Sequence, residues 1–205
     1  MGFSADWLAL REPVDLAARD NALLSRAAEC AGEEAVVLDL GCGTGSTARA
    51  FIGASATWTW RCVDGDSALL DIAHRLHPAS ECVQMNLRDI DELPLEGVRL
   101  VTASALLDLM PEAWMTRLAA RLQAAAVPFY AALNYDGVMG WSPEDEADSQ
   151  ITRAFNQHQQ TDKGIGPAMG PDSGKMAAKI LADHQFKVTL ADSPWRLGAE
   201  QVPLH

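Results

Sequence analysis

The run Val36-Val37-Leu38-Asp39-Leu40-Gly41-Cys42-Gly43-Thr44-Gly45-Ser46 constrains the chain more than any other segment, because an apolar, β-branched stretch ends on an acid and opens into glycines at alternate positions. Glycines so spaced let the backbone turn sharply and approach a ligand where a Cβ would obstruct it, which is the behaviour of a nucleotide-type binding loop between a strand and a helix. The dinucleotide fingerprint requires its third glycine three positions after the second. That position is Ser46, and the extra glycine is Gly45, so the spacing does not fit NAD. A phosphate-binding P-loop would end in Gly-Lys-Ser/Thr, and no lysine lies near this loop.

The rest of the chain alternates strand and helix signals around this loop. Apolar residues at helical spacing predict a helix over 13–31, with Pro13 near its start and Gly32 just past its end. A short helix is expected from Ser46 or Thr47 to Ile52, capped by Gly53. Further strands are expected over 57–63, 81–85, 98–103 and 127–133, and helices over 68–76, stopped by Pro78, and over 111–125. Alternation of this kind implies right-handed crossovers: an α/β, doubly wound, mostly parallel Rossmann-like sheet with helices on both faces. Beyond it, residues 134–174 exceed an ordinary strand-to-helix connection and are the expected substrate-recognition insertion, with one helix from Asp148 or Ser149 to Gln160 and a loop over 161–167. A helix from Asp172 or Ser173 to His184, a strand over 186–190 and a short partner over 195–197 complete the reading.

Composition supports one domain over 1–205. A chain of 205 residues with 48% hydrophobic residues can bury one substantial core. It carries no apolar run long enough to span a bilayer and no secretory leader pattern, so cytoplasmic residence is the expectation. Four cysteines, none in a CxxC pair and two in strands expected to be buried, predict reduced thiols and no metal site. A net charge of -12 opposes attraction to a polyanion, so no nucleic acid partner is expected unless a local basic groove provides one.

Asp-Leu-Gly-Cys-Gly-Thr-Gly resembles the first motif of the class I S-adenosylmethionine-dependent methyltransferases, and the resemblance extends over about 36–133. It implies S-adenosyl-L-methionine as cofactor, held by Asp39, Leu40, Gly41, Cys42, Gly43 and Gly45. It also implies an acid at the end of the next strand for the ribose diol, matched here by Asp64, followed by Gly65. That acid lies roughly 20 residues beyond the loop, the offset common in nucleotide-binding α/β units. Asp64 can also be read as a helix N-cap. After the third strand the family often places an acid and an apolar residue at adenine. Here Asn86 and Leu87 stand there, and Asn86 reads equally as a turn residue. Arg99 stands at the start of the fourth strand where the family often has an acid. Ser104, at the end of that strand, is a further cofactor candidate. Arg11 is one as well, since it and Arg19 can swing across the cofactor carboxylate, although both also read as solvated helix charges. The fold so implied normally closes with an antiparallel hairpin, for which 186–190 and 195–197 leave little chain. The expectation is a sheet lacking its last strand, in a chain shortened at its C-terminus.

The resemblance implies in-line attack of a small-molecule O, N, C or S atom on a sulfonium methyl, and alignment alone can contribute on the order of 7–11 kcal/mol to such a reaction. Where a proton must leave, the catalytic candidates at the carboxyl edge of the sheet are Asp108, Tyr135, Asp136 and His158. Loop 161–166 can be read as an anion-binding nest around Lys163 or as a plain connection. Alternatives from other classes are a non-catalytic S-adenosylmethionine-binding module, a protein methyltransferase, and an aminopropyl transferase. The mostly apolar stretch 103–108 speaks against the last, since it offers no acidic cluster for a polyamine.

Overall fold

The computed structural model describes residues 3–51 and 57–204. Five parallel strands form one sheet in the order β3-β2-β1-β4-β5: β1 Val36–Leu40, β2 Thr59–Asp64, β3 Glu81–Gln84, β4 Val98–Ser104 and β5 Phe129–Ala132. β1 is central because its Val-Val-Leu run can be buried on both faces, and it pairs with β2 and β4. Alternate side chains divide the core. Leu38, Leu40, Val63, Val101 and Ala103 pack on Leu118 and Leu122 of α5 (Glu112–Ala125) and Ile180 of α7 (Ser173–Asp183). Val37, Trp60, Leu100 and Tyr130 pack on Ala27 and Ala31 of α2 (Asn21–Ala31), with Phe51 and Trp58. Phe51 sits among Trp58, Trp60 and Tyr130 at ring centroid distances of 5.4, 5.9 and 5.5 Å. This is the doubly wound sheet expected from the alternation of elements.

The expected helix over 13–31 is two helices. Ser4 accepts the Trp7 N–H and starts α1 (Ala5–Ala18) a full turn and more ahead of Pro13, which lies inside that helix. Arg19 then leaves helical geometry, and Asp20 caps α2 by accepting the Leu23 N–H at 2.7 Å. The helix after the glycine loop, α3, spans Ser46–Ala50, and the capping role expected of Gly53 lies outside the described residues. α4 (Ser67–Leu76) and α6 (Asp148–Gln159) fall where the sequence puts them.

The expected strands over 186–190 and 195–197 do not form: no ladder involves them, and among the described residues the sheet ends at β5. Gln185 turns left-handed at φ +67°, and the alternation of Phe186 and Val188 is met by packing against the core rather than by strand pairing. Cys62 is buried in β2, whereas Cys82 is exposed, because β3 is the sheet's edge; all four cysteines are free thiols. No helix among the described residues is long and apolar enough to cross a membrane.

Candidate functional site

The strand order reverses beside β1, between its neighbours β2 and β4, and ligands in open α/β sheets bind at the carboxyl ends of the strands at such a point. The glycine loop lies there. Gly41, Gly43 and Gly45 have φ of +62°, +53° and +82°, and Gly45 is the left-handed residue that starts α3. A Cβ on Gly43 would come within 3.0 Å of Leu8 in α1, and one on Gly41 within 3.2 Å of Leu106 and 3.8 Å of Leu87. The Cys42 N–H donates to the Val63 carbonyl at 3.1 Å and ties the loop to β2, while the facing Cys62 thiol and then burial push the Cys42 thiol pKa up. Leu40 is buried beneath the loop.

At the end of β2, Asp64 reaches back to this loop. Its Oδ2 accepts the Gly43 N–H and its Oδ1 the Asp66 N–H, both at 2.9 Å. The capping role that competed for Asp64 belongs to Asp66, which accepts the Ala68 N–H and starts α4. Gly65 is exposed beside it, and its carbonyl accepts from the Gln84 amide. Asn86 makes a turn, its Oδ1 accepting the Arg88 N–H at 3.0 Å. Leu87 is held by its carbonyl, which accepts the Trp114 indole N–H at 2.6 Å, and with Leu106 it gives Gly41 an apolar flank.

A polar cluster lies behind the loop. Asp39 is buried at the end of β1; its Oδ1 accepts the Thr102 hydroxyl at 2.7 Å, its Oδ2 has no partner, and burial pushes its pKa up to about 6. Ser104, at the end of β4, receives the Arg19 Nη2 at 2.9 Å and lies 3.0 Å from the Thr47 hydroxyl. The solvated-charge reading of Arg19 is therefore wrong: the break between α1 and α2 carries this side chain inward, and it is 5% exposed. Arg11, the other cation read from sequence as a cofactor candidate, is tied to Asp15 and Trp195. It makes a two-point ion pair with Asp15 at 2.7 and 3.0 Å and lies over the Trp195 ring, whose N–H also donates to Asp15. Thr47 was missed for want of any motif beyond the glycines, and Arg19 because an unbroken helix would have left it on the outside.

Of the acid–base candidates, the fold brings two together. Asp108 is buried in a 3-10 turn after β4, Leu107–Leu109, with Oδ1 unpartnered. Desolvation raises its pKa, opposed by its own and the Tyr135 backbone N–H groups and by the charges of Arg11 and Lys163. Tyr135 is thus adjacent through its backbone, but its hydroxyl donates to Asn156 of α6 at 2.6 Å and its ring stands edge-on to Phe155. Burial raises the Tyr135 pKa as well. Asp136 is exposed and closes a turn by accepting the Val138 N–H. His158 is exposed on α6, where its carbonyl, rather than its ring, accepts from Lys163 and Thr161. The loop over 161–166 is a plain connection: Asp162 accepts the Gly164 and Gly166 amides that would have formed an anion nest.

A model of the methyltransferase domain matches residues 37–128. The match runs from β1 to the residue before β5, under half of the chain, and makes that part similar to the methyltransferase domain. Among solved structures it is similar to a putative S-adenosylmethionine-dependent methyltransferase from Methanococcus maripaludis, at 13% identity over 90% of this chain and 83% of that one, TM-score 0.53. It is similar to a sugar N-methyltransferase from Streptoalloteichus, at 16% identity over 69% of this chain and 58% of that one, TM-score 0.52. A TehB-like methyltransferase from Corynebacterium glutamicum aligns at 20% identity over 58% of this chain and 65% of that one, TM-score 0.45. The chain thus spans less than two thirds of the length of the last two. At 13% and 16% identity, what it shares with the first two is the fold. No curated protein matches the sequence.

Proposed function

We propose that this chain is a class I S-adenosylmethionine-dependent methyltransferase and transfers a methyl group from S-adenosyl-L-methionine to a small-molecule acceptor. The observation that carries the cofactor half is the bond from the Gly43 N–H to Asp64, which fixes a carboxylate beside a loop whose glycines leave a cradle that side chains would fill. The residues fit the group. An ionised carboxylate has lone pairs left for vicinal hydroxyls after two backbone bonds. Leu87 and Leu106 offer apolar cover for a base, and unpartnered buried atoms of Asp39 and Arg19 lie at the strand ends. When bound, the cofactor supplies an electrophilic sulfonium methyl.

The acceptor side is the carboxyl edge of β4 and β5. Asp108 there holds an unpartnered buried oxygen beside Tyr135, and we assign it as the group that takes the proton of a hydroxyl or ammonium acceptor. Asp136 is exposed and bonded in a turn and His158 is exposed on α6, which favours Asp108 over them. The likeness in fold to a sugar N-methyltransferase supports a small acceptor, as does the insertion over 134–174 beside Asp108.

Calorimetric titration with S-adenosylmethionine and S-adenosylhomocysteine tests the reading. The parent is expected to bind both, and Asp64→Ala to weaken binding by about tenfold to a hundredfold through loss of charge-assisted bonds. Absence of binding by the parent would overturn it. With an acceptor in hand, Asp108→Asn should keep cofactor affinity and lose about a hundredfold or more in turnover. A non-catalytic binding module would instead bind the cofactor and release no S-adenosylhomocysteine with any acceptor.

A further inference from the structure

We infer that Asn134 is the positioning residue for Asp108: its side chain continues the β4–β5 ladder where the backbone leaves it, and so fixes the turn that carries the acid. The assignment rests on the reading of Asp108 above. In this parallel pair the Val101 N–H donates to the Pro128 carbonyl and the Ala105 N–H to the Ala132 carbonyl, both at 3.0 Å. The chain then leaves the sheet on both sides through left-handed residues that are not glycine, Ala105 at φ +50° and Leu133 at φ +60°. The next bond of the series, from the Leu107 N–H, goes to Oδ1 of Asn134 at 3.0 Å and spans the same 27 positions. A side-chain oxygen thus stands in for a backbone carbonyl. Left-handed non-glycine residues are costly, persist where their surroundings over-determine them, and gather around active sites. Both of these follow the last residue of a strand at the acceptor edge.

The turn Leu107–Leu109 closes on itself through the Leu109 N–H to Leu106 and the Met110 N–H to Leu107, at 3.0 and 3.2 Å. Its far end is tied by the Met169 N–H, which donates to the Met110 carbonyl at 2.8 Å. Asn134 ties the near end, and the N–H of the following residue, Tyr135, faces the Asp108 carboxyl. Two consecutive residues after β5 therefore set both the turn and its acid. Leu107 is 2% exposed, so without Oδ1 its N–H is a buried orphan that only an entering water can satisfy. That water would arrive beside Asp108 and undo the desolvation that raises its pKa. The other groups that face this carboxyl act in the opposite sense: its own N–H, the Tyr135 N–H, Arg11 of α1 and Lys163 of the loop 161–166. Asparagine suits the task because its oxygen accepts without a charge, whereas a carboxylate there would repel Asp108.

The test follows the Asp108 carboxyl by carbon NMR in protein labelled at its aspartate carboxyl carbons, the signal being identified by its loss in Asp108→Asn. The parent should titrate above the ordinary carboxylate range. Asn134→Ala should shift the midpoint down toward that range as water enters beside the acid. Asn134→Asp keeps an acceptor for the Leu107 N–H and brings a second negative charge to the edge, so its midpoint should lie at or above the parent's. An unchanged midpoint in Asn134→Ala, or an equal fall in Asn134→Ala and Asn134→Asp, would overturn the positioning role. If Asn134→Ala does not fold, Asn134→Gln decides, since the same amide one methylene longer misplaces the oxygen: a fall supports the role and an unchanged midpoint overturns it. A parent Asp108 that titrates at the ordinary value would instead remove the reading of Asp108 as a desolvated base, and so differs from failure of Asn134 alone.

Discussion

Asp39 holds its carboxylate at a strand end that is 1% exposed, with one oxygen bonded to Thr102 and the other without a partner. Burial disfavours the charged form, so the folded pKa rises from 3.8 to about 6. The folded protein therefore binds this proton more tightly than the unfolded chain. Stability contributed at this site is present below about pH 4, falls as pH rises to about 6, and stays lost above that. A shift of this size corresponds to about 3 kcal/mol at neutral pH. Asp39→Asn keeps an acceptor for Thr102 and has no charge to bury, so its stability relative to the parent should increase between pH 4.5 and 7.5 by about 2–3 kcal/mol, measured by urea unfolding at both values. A constant difference across that range would show that the carboxylate is not desolvated. The same cause acts on Asp108 with a different consequence. Desolvation raises its pKa, and a base works only when deprotonated, so turnover should rise with pH through a midpoint above the ordinary carboxylate range. The midpoint should vanish in Asp108→Asn.

α1 is the element that packs against the glycine loop and α3. Leu8 packs on Gly43, Glu12 pairs with Arg49 of α3, and Arg11 with Asp15 joins α1 to Trp195. The Glu12 and Arg49 side chains are 26% and 20% exposed, and their two-point geometry and partial burial place the pair above a surface salt bridge in strength. Glu12→Gln should lower stability by about 1 kcal/mol in thermal or urea unfolding, and an unchanged midpoint would mean that α1 is held by Leu8 and Trp195 alone. These contacts also explain which parts of the molecule were legible in the sequence. The central strands and the glycine loop follow from Val36 to Gly45, because local pattern and burial agree there. The entry helix was misread because Pro13 resembles a helix start, whereas the structure uses Ser4 and Asp20 as caps and accepts the lost N–H at Pro13. Phe186 and Val188 carried a strand pattern, and tertiary packing met it without a ladder. For Arg19 the sequence left an inward and a solvated reading open, since its inward path depends on that helix break and on Ser104 eighty-five positions away.

Across the molecule, the sheet and the segment 134–174 differ in what holds them. β1 has neighbours on both edges and buried residues through Val37, Leu38, Asp39 and Leu40, whereas α6 has no buried residue along its length. Tyr135, Asn156 and Gly137 attach α6 through a few polar bonds, with Ile151, Phe155 and Trp141 exposed around it. Regions with few buried apolar contacts open at low free-energy cost, and elements that must admit a ligand are commonly of this kind. Hydrogen exchange should therefore find α6 exchanging far faster than β1 and β4 in the free protein. Adding S-adenosylhomocysteine should slow exchange in α1, the loop 41–46 and the end of β2, where Gly43 meets Asp64, and leave α6 nearly unchanged, since its slowing awaits an acceptor. Protection of α6 by the cofactor alone would show instead that the insertion closes on the cofactor side, and would move the acceptor entrance away from Asp108.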